Sequence, residues 1–141
     1  MKLLTLLLIL IPQTLGNFSF IESEIKSIGE PVEEIWKQVV TLTIYKPTIS
    51  QTDSTPNITA SGFKIDTINP SKHKIIAVSR DLKKKGWSFG KKVKIKKAGK
   101  YNGVYTIRDL MNKRHKKRID VLVGDDESPV RLDGVEVTLL N

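Results

Sequence analysis

Cysteine is absent from this chain of 141 residues, and histidine occurs only twice. Without cysteine the chain can form neither a disulfide nor a thiolate zinc site, and two histidines alone make no recognisable structural zinc centre. Aromatic residues make up 6% of the sequence, so few rings interleave the basic runs to stack on nucleic-acid bases. The sequence also has no glycine-rich phosphate loop and no serine-nucleophile motif. We therefore expect no cofactor, no metal site and no nucleic-acid partner.

Long apolar runs are also lacking, apart from residues 3–11. Lys2 precedes this run, Pro12 ends it, and small residues follow before Asn17, a pattern typical of a signal peptide. The run has about half the length that a membrane-spanning helix requires. We expect residues 1–16 to be a signal peptide, and the protein to be exported to the periplasm, the outer membrane or the cell exterior. The alternative is an uncleaved anchor or a buried strand.

Acidic residues are fewer than basic ones: 15 Asp and Glu stand against 24 Lys and Arg, a net charge of +9. Glutamates concentrate in residues 17–38, which we interpret as an acidic linker. Lysines and arginines concentrate in residues 83–85, 91–100 and 113–118. Such a surface attracts polyanions at low salt. For an exported protein the candidates are cell-wall polymers, anionic lipid or extracellular DNA, and the alternative is that the charge serves only solubility.

Hydrophobic periodicity changes to a period of two from Val39 onward, where Val40, Leu42 and Ile44 predict a half-buried strand. Further short strands are predicted at residues 75–78, 93–95, 104–108, 119–123 and 135–140. Short helical turns are predicted within residues 33–38 and from 79 to 85, the second ended by Gly86. The polar residues 46–57 predict a long loop. Six or seven short strands favour a mainly β protein, a small closed barrel over residues 39–141, because closure removes exposed strand edges.

Asp109 and Asp120 are the most informative side chains of the chain. Each follows or lies inside a predicted strand, each has an arginine (Arg108 or Arg118) within two residues, and a basic crossover separates them. This pattern predicts two carboxylates at one mouth of the barrel in a positive surround. Carboxylates so placed are the catalytic groups of enzymes that cleave glycosidic bonds. The alternatives are a turn or cap residue for Asp109 and an ion pair with Arg118 for Asp120.

Six short motifs, taken in order, resemble the three-aspartate (3D) domain family. They are Thr43-Ile44-Tyr45-Lys46-Pro47, Thr59-Ala60-Ser61-Gly62, Ile76-Ala77-Val78, Phe89-Gly90-Lys91-Lys92-Val93, Arg108-Asp109 and Arg118-Ile119-Asp120-Val121. The resemblance covers nearly all of residues 39–123. It implies a double-psi β-barrel, related to the barrel domains of membrane-bound lytic transglycosylases, rare lipoprotein A and expansins.

The resemblance also implies roles for individual residues. Asp120 matches the aspartate that the lytic transglycosylase relatives use as acid and base, and Asp109 matches the aspartate that closes a strand ahead of the crossover. Thr59 and Ser61 match a small polar pair that lines the site, and Tyr45 matches an aromatic residue on the first strand. The expected substrate-binding residues are Tyr45, Thr59, Ser61, Asp81, Arg108 and Arg118.

The chain departs from the family pattern in three places. Ser79 stands where the family usually has an aspartate after the Ala-Val pair, and Asp81 is its candidate substitute. Residues 110–112 replace the usual Thr-Gly-Gly, and the segment between the two main aspartates is longer and more basic.

The activity implied by the resemblance is lytic cleavage of the bond between N-acetylmuramic acid and N-acetylglucosamine in peptidoglycan, by a monomeric exported bacterial enzyme. The muramic acid's own 6-hydroxyl attacks the anomeric carbon, so that one carboxyl group can serve as acid and then as base. The alternative is an expansin-like module that binds glycan strands or another anionic cell-wall polymer without cleaving it.

Overall fold

The computed structural model describes residues 36–48, 50 and 54–140 of the chain. The expected signal peptide, the expected acidic linker up to residue 35, and residues 49 and 51–53 of the expected loop lie outside the described residues. In the part that is described, no helix is long and apolar enough to cross a membrane.

Six strands form a closed barrel with the order β1-β5-β2-β4-β3-β6. The strands are β1 (Lys37–Tyr45), β2 (Ile75–Val78), β3 (Lys92–Lys96), β4 (Gly103–Leu110), β5 (Arg118–Leu122) and β6 (Arg131–Leu139). The described helices are α1 (Arg80–Lys84) and two 3-10 turns, Pro70–His73 and Gly99–Tyr101. The expectation of a mainly β protein with a closed barrel and very little helix is confirmed.

Strand boundaries differ from the predicted ones where pairing extends the strand beyond its apolar pattern. β1 begins at Lys37, before the predicted domain start at residue 39, because Lys37 and Gln38 pair with β6. β4 runs past Arg108 to Leu110, so Asp109 lies inside the strand, paired with β2. Gly86 ends α1 as predicted, with a positive φ of 94° that favours glycine.

The pairing of the six strands has an internal twofold relation. β1 pairs in parallel with β5, and β2 pairs in parallel with β4, while the other neighbours are antiparallel. If β1, β2 and β3 are exchanged with β4, β5 and β6, respectively, every pair of neighbouring strands becomes a pair of neighbouring strands with the same relative direction. The chain therefore consists of two halves with equivalent connections, although the sequence shows no internal repeat.

The barrel interior is filled by branched apolar side chains that alternate along the strands. Leu42, Ile76, Ile107, Ile119 and Val135 are all fully buried in one cluster. A second buried cluster covers the outer side of the wall formed by β1, β5, β2 and β4. Its members are Tyr45, Ile65, Ile75, Ala77, Met111 and Leu122. This wall is therefore covered on both faces, whereas β3 exposes every second residue.

Candidate functional site

One residue from each of four neighbouring strands forms a single row across the outer face of this wall. Strand pairing places Thr43 beside Asp120, Asp120 beside Ala77, and Ala77 beside Asp109. We call these four residues the carboxylate row. The barrel therefore brings together the two aspartates that the sequence singles out, although eleven positions separate them along the chain.

Side-chain alternation sets the direction in which the carboxylates point. Ile119 and Val121 fill the barrel interior on either side of Asp120, so the Asp120 side chain points outward. On β4 the register shifts by one residue at Arg108, so that Asp109 and not Arg108 faces β2. The two carboxylates consequently lie on the outer face of the wall, and the expectation of a barrel mouth was wrong.

The approximate twofold axis that relates the two halves of the barrel passes between Asp120 and Ala77. Exchanging the two halves maps Asp120 onto Ala77 and maps Thr43 onto Asp109. Since neighbouring strands are about 4.8 Å apart, the α-carbons of the two aspartates are roughly 10 Å apart. Within the row, only the methyl group of Ala77 lies between the two aspartates. A larger side chain at this position would fill the space between the two carboxylates.

Asp120 is partly buried, and its one side-chain hydrogen-bond partner among the described residues is Thr43. The Thr43 hydroxyl donates a hydrogen bond of 2.8 Å to the Oδ1 atom of Asp120. Burial raises the pKa of Asp120 to about 6, and the charge of Asp109 adds to this rise, while the Thr43 hydrogen bond and the charge of Arg118 lower the pKa. The Arg118 guanidinium contacts Nδ1 of His115 at 3.0 Å. The expected alternative, an ion pair of Arg118 with Asp120, is absent from the ion pairs between described residues.

Asp109 differs from Asp120 because protein donors occupy both of its oxygens. The backbone N–H groups of Ala60 and Leu110 each donate to Oδ1 at 2.9 Å. The Tyr45 hydroxyl donates to Oδ2 at 3.0 Å. Burial, together with the negative charge of Asp109, holds the pKa of Tyr45 far above its usual range, so Tyr45 remains a protonated donor. Asp109 is thus an anchoring point for the residues around it.

Residues 57–65, which we call the covering segment, lie against the β4 end of the carboxylate row. The segment closes on itself through the Asn57 carbonyl, which accepts a hydrogen bond from the Ile65 N–H. Its tip turns at Gly62, whose φ of +82° favours glycine. Besides the Ala60 bond to Asp109, the Ser61 N–H donates to the carbonyl of Arg108 at 3.1 Å. The covering segment is therefore fastened to β4 at two adjacent residues.

The two hydroxyl groups of the covering segment are used inside it. Thr59 is buried, and its Oγ1 lies 3.0 Å from Oγ of Ser61. The same Oγ1 accepts a hydrogen bond of 3.1 Å from the backbone N–H of Phe63. Thr59 and Ser61 therefore lie on either side of Ala60, and their hydroxyls form the turn that holds Ala60 against Asp109.

Two arginines flank the carboxylate row. Arg118 lies two positions before Asp120 on β5 and so shares its outward face. Arg108 precedes Asp109, and its guanidinium lies 5.3 Å from the centre of the Phe63 ring. The pKa of His115 is lowered by burial and by the charges of Arg118 and Arg114. Arg118 therefore supplies positive charge beside Asp120, whereas the Arg108 guanidinium packs on the covering segment.

Asp81 lies apart from the row. Its Oδ2 accepts a hydrogen bond of 3.0 Å from the backbone N–H of Lys117, at the end of the basic crossover. Burial opposes ionisation of Asp81, but hydrogen bonds from Ser79 and Lys117 outweigh it and bring its pKa below the ordinary value. Ser79 also accepts a 3.1 Å bond from the Arg118 N–H. Both residues hold the start of β5, and neither takes the place of a third aspartate in the row.

Thr43 and Ala77 are the site residues that the sequence did not identify. Both lie within the motifs that carry the family resemblance, but their placement depends on the register of β1 and β2 against β5. Parallel pairing of β1 with β5 connects segments 77 positions apart, and local periodicity contains no signal for it. Among residues 36–48 and 54–140, no group of three or more histidine, aspartate or glutamate side chains is placed to hold a metal ion.

A polar cleft lies outside this site. It is lined by residues 67–71 and 124–127, none of which belongs to the carboxylate row or to the covering segment. Residues 125 and 126 form a turn there, as the sequence predicts.

No family model, no curated protein and no solved structure matches this chain.

Proposed function

We propose that this protein is an exported lytic transglycosylase of the 3D-domain type, which cleaves the glycosidic bond between N-acetylmuramic acid and N-acetylglucosamine in peptidoglycan. Asp120 is its general acid and base. The observation that carries the proposal is the difference between the two aspartates. Asp120 keeps one hydroxyl partner and a pKa of about 6, whereas both oxygens of Asp109 are occupied by internal donors.

One available carboxyl group fits lytic cleavage better than hydrolysis. A glycoside hydrolase uses two carboxyl groups with separate tasks, about 5–5.5 Å apart when configuration is retained and about 6.5–9.5 Å apart when it is inverted. Here Asp109 would have to release Tyr45 or two backbone N–H groups before it could act on a substrate or a water molecule. Lytic cleavage needs one group, because the attacking hydroxyl belongs to the substrate.

The reaction can be written with Asp120 alone as the proton carrier. Protonated Asp120 gives its proton to the glycosidic oxygen, and the bond from this oxygen to the anomeric carbon breaks. The resulting carboxylate then takes the proton of the muramic acid 6-hydroxyl as its oxygen bonds to the anomeric carbon. The products are a free 4-hydroxyl and a 1,6-anhydro sugar, and Asp120 ends protonated. A pKa of about 6 keeps both protonation states accessible near neutral pH.

The remaining site residues support Asp120 in this scheme. Arg118 and Arg108 attract the carboxylates of the substrate, which in peptidoglycan are those of the stem peptides. Tyr45, Thr59 and Ser61 have their hydroxyls bound inside the protein, so they shape the site and position the covering segment.

A glycan-binding module without catalysis is the second candidate. It is favoured by the same internal bonding, since Asp120 is the single carboxylate of the row that is not held by several donors. A rigid outer face with two flanking arginines could hold an anionic glycan in one place without any proton transfer.

Product analysis separates these candidates. Purified peptidoglycan is incubated with the full chain, and the soluble fragments are analysed by mass spectrometry. Fragments with 1,6-anhydro ends support lytic cleavage. Fragments with reducing ends would contradict it and indicate hydrolysis. Binding to peptidoglycan sacculi with no soluble fragment would contradict catalysis and favour the binding module.

A further inference from the structure

Three lysines form a regular cationic row on β3, which we call the lysine face. Lys92, Lys94 and Lys96 are exposed, whereas Val93 and Ile95 between them are buried in the core. The three ammonium groups therefore project from the same outer surface. In a strand, side chains that share a face repeat at roughly 7 Å.

The neighbours of the lysine face leave its charge largely uncompensated. Lys94 is flanked in the sheet by Thr138 on β6 and by Val104 on β4, and Lys37 on β1 extends the same line beyond Thr138. The carboxylate beside Lys96 is Glu136, which forms an ion pair of 2.5 Å with Lys97. This ion pair is the main reason that the pKa of Glu136 lies below its ordinary value.

Two further lysines of the described residues, besides Lys97, form ion pairs with nearby carboxylates. Lys72 forms an ion pair with Asp66, and Lys100 forms one with Glu127. No ion pair between described residues includes a lysine of the lysine face. Its charge is consequently available to an external anion.

The lysine face is on the opposite side of the barrel from Asp120. In the ring order of the barrel, β3 is three strands away from β5 in either direction. An anionic ligand on β3 therefore leaves Asp120 on β5 uncovered. The lysine face and Asp120 therefore lie on opposite sides of one barrel, although Asp109, at the other end of the carboxylate row, lies on β4 beside β3.

From this geometry we propose that the lysine face binds an extended, base-free phosphodiester polymer, of the polyol-phosphate kind, with one phosphate per lysine. Two residues of a strand contain six backbone bonds, and so does each repeat of a poly(glycerol phosphate) chain. Two extended chains with the same number of bonds per repeat have closely similar repeats, roughly 7 Å here. Successive phosphates therefore come into register with Lys92, Lys94 and Lys96, and an ammonium group binds a phosphate as a point charge.

The side chains around the lysine face favour a polymer without bases. Its neighbours in the sheet are Thr106, Val104, Thr138 and Glu136, none of which is aromatic. Binding of single-stranded nucleic acid combines a basic groove with aromatic rings on which the bases stack. The lysine face supplies the charge and not the rings. This inference is independent of Asp120, and its failure would leave the proposed cleavage untouched.

The test uses the full chain and synthetic poly(glycerol phosphate) of three and of twelve repeats, with affinity measured over a range of salt concentrations. The test variant carries Lys92→Gln, Lys94→Gln and Lys96→Gln. The matched control carries Lys84→Gln, Lys85→Gln and Lys116→Gln, which removes the same charge from exposed positions elsewhere. Thermal unfolding of both variants confirms that they fold.

We expect the twelve-repeat polymer to bind the parent chain and to bind the test variant roughly tenfold more weakly at low salt. The slope of log affinity against log salt should fall in magnitude by about 2, since each phosphate contact on a single strand contributes about 0.7. The control variant should keep most of the affinity and bind with a steeper slope than the test variant. Equal losses in the two variants would show that only net charge matters, and would overturn the proposal.

Two further probes identify the source of the anion. Oligothymidylate with the same number of phosphates supplies bases, and vesicles containing phosphatidylglycerol supply a lipid surface. Oligothymidylate that binds tenfold more tightly than the polyol phosphate would overturn the base-free assignment. Vesicle binding that depends on the three lysines, without binding of free polymer, would assign the lysine face to a membrane surface. This result would also overturn the proposal. If both probes bind more weakly than the polyol phosphate, the proposal is supported.

Discussion

The hydroxyl of Thr43 donates a hydrogen bond of 2.8 Å to Oδ1 of Asp120 from the directly opposite position on the neighbouring parallel strand. This bond favours the ionised carboxylate and so lowers the pKa of Asp120, against the larger effect of burial. Thr43→Val keeps the shape of the side chain and removes the donor. We expect the pKa of Asp120 to rise in this variant, as followed by NMR titration of the aspartate carboxyl carbons.

Thr43→Ser is the matched control, because it keeps a hydroxyl at the same position and should leave the titration close to that of the parent chain. If Thr43→Val and Thr43→Ser titrated alike, the hydrogen bond would have no part in setting the protonation of Asp120.

Asp120→Asn should make the folded protein more stable at neutral pH. Folding raises the pKa of Asp120 from an ordinary value of 3.8 to about 6, so the folded state disfavours the ionised form. This penalty is absent below pH 4, grows as the pH rises towards 6, and is complete above it. The variant should therefore gain about 2–3 kcal/mol in the free energy of unfolding at pH 7, and little at pH 3.5, by urea denaturation.

Asp125→Asn controls for the loss of one negative charge, since Asp125 is exposed in a turn. A gain of the same size in Asp125→Asn, or a gain in Asp120→Asn that is independent of pH, would mean that burial of the carboxylate is not its cause.

Replacement of Asp109 should have the opposite effect on stability and make the folded protein less stable. Asp109→Ala leaves the buried Tyr45 hydroxyl without its acceptor, and we expect a loss of about 1–3 kcal/mol in the free energy of unfolding, the usual cost of an abandoned buried donor. The Ala60 N–H also loses its acceptor, but it is exposed and can bond to water. Hydrogen exchange of amides in the covering segment should accelerate. Slow exchange in a folded variant would show that Asp109 does not anchor this segment.

The more conservative Asp109→Asn tests the electrostatic coupling between the two aspartates. The charge of Asp109 raises the pKa of Asp120, although by less than burial does. Removing this charge should lower the pKa of Asp120 slightly and shift the pH dependence of activity towards acid. An unchanged pH profile would mean that the two carboxylates do not interact.

Asp81 is expected to hold the crossover and not the substrate. Asp81→Ala removes the acceptor of the Lys117 N–H and should destabilise the protein by about 1–3 kcal/mol at pH 7. Because the pKa of Asp81 is lowered by folding, its contribution should disappear as the pH falls below the ordinary aspartate pKa. A selective loss of substrate affinity with unchanged stability would instead restore Asp81 to the substrate-binding residues.

The sequence predicted the barrel because local patterns report local structure. Alternation at Val40 and Leu42 identified β1, and the glycine at position 86 identified the end of α1. The ends of β1 and β6 were missed, since Lys37 and Arg131 pair with neighbouring strands but are not apolar. Strand pairing between distant segments is the part of the fold that periodicity does not contain.

The site was predicted in part for the same reason. Asp109 and Asp120 stand out because carboxylates beside strands are unusual, and family resemblance supplied Tyr45. The difference between the two aspartates depends on the Ala60 N–H, which reaches Asp109 across 49 positions. A backbone donor has no sequence signature, so the anchoring role of Asp109 became visible only in the folded structure.

Cleavage of peptidoglycan by the parent chain and by Asp120→Asn is the most direct test of the central claim. The measured quantity is the yield of 1,6-anhydro muropeptides at pH 6, with Asp125→Asn as the charge-matched control. We predict anhydro products from the parent chain and the control, and a loss of roughly a hundredfold or more in Asp120→Asn, the usual scale for a general acid. A folded Asp120→Asn protein that released these products within a few-fold of the parent rate would contradict the assignment of Asp120 as acid and base.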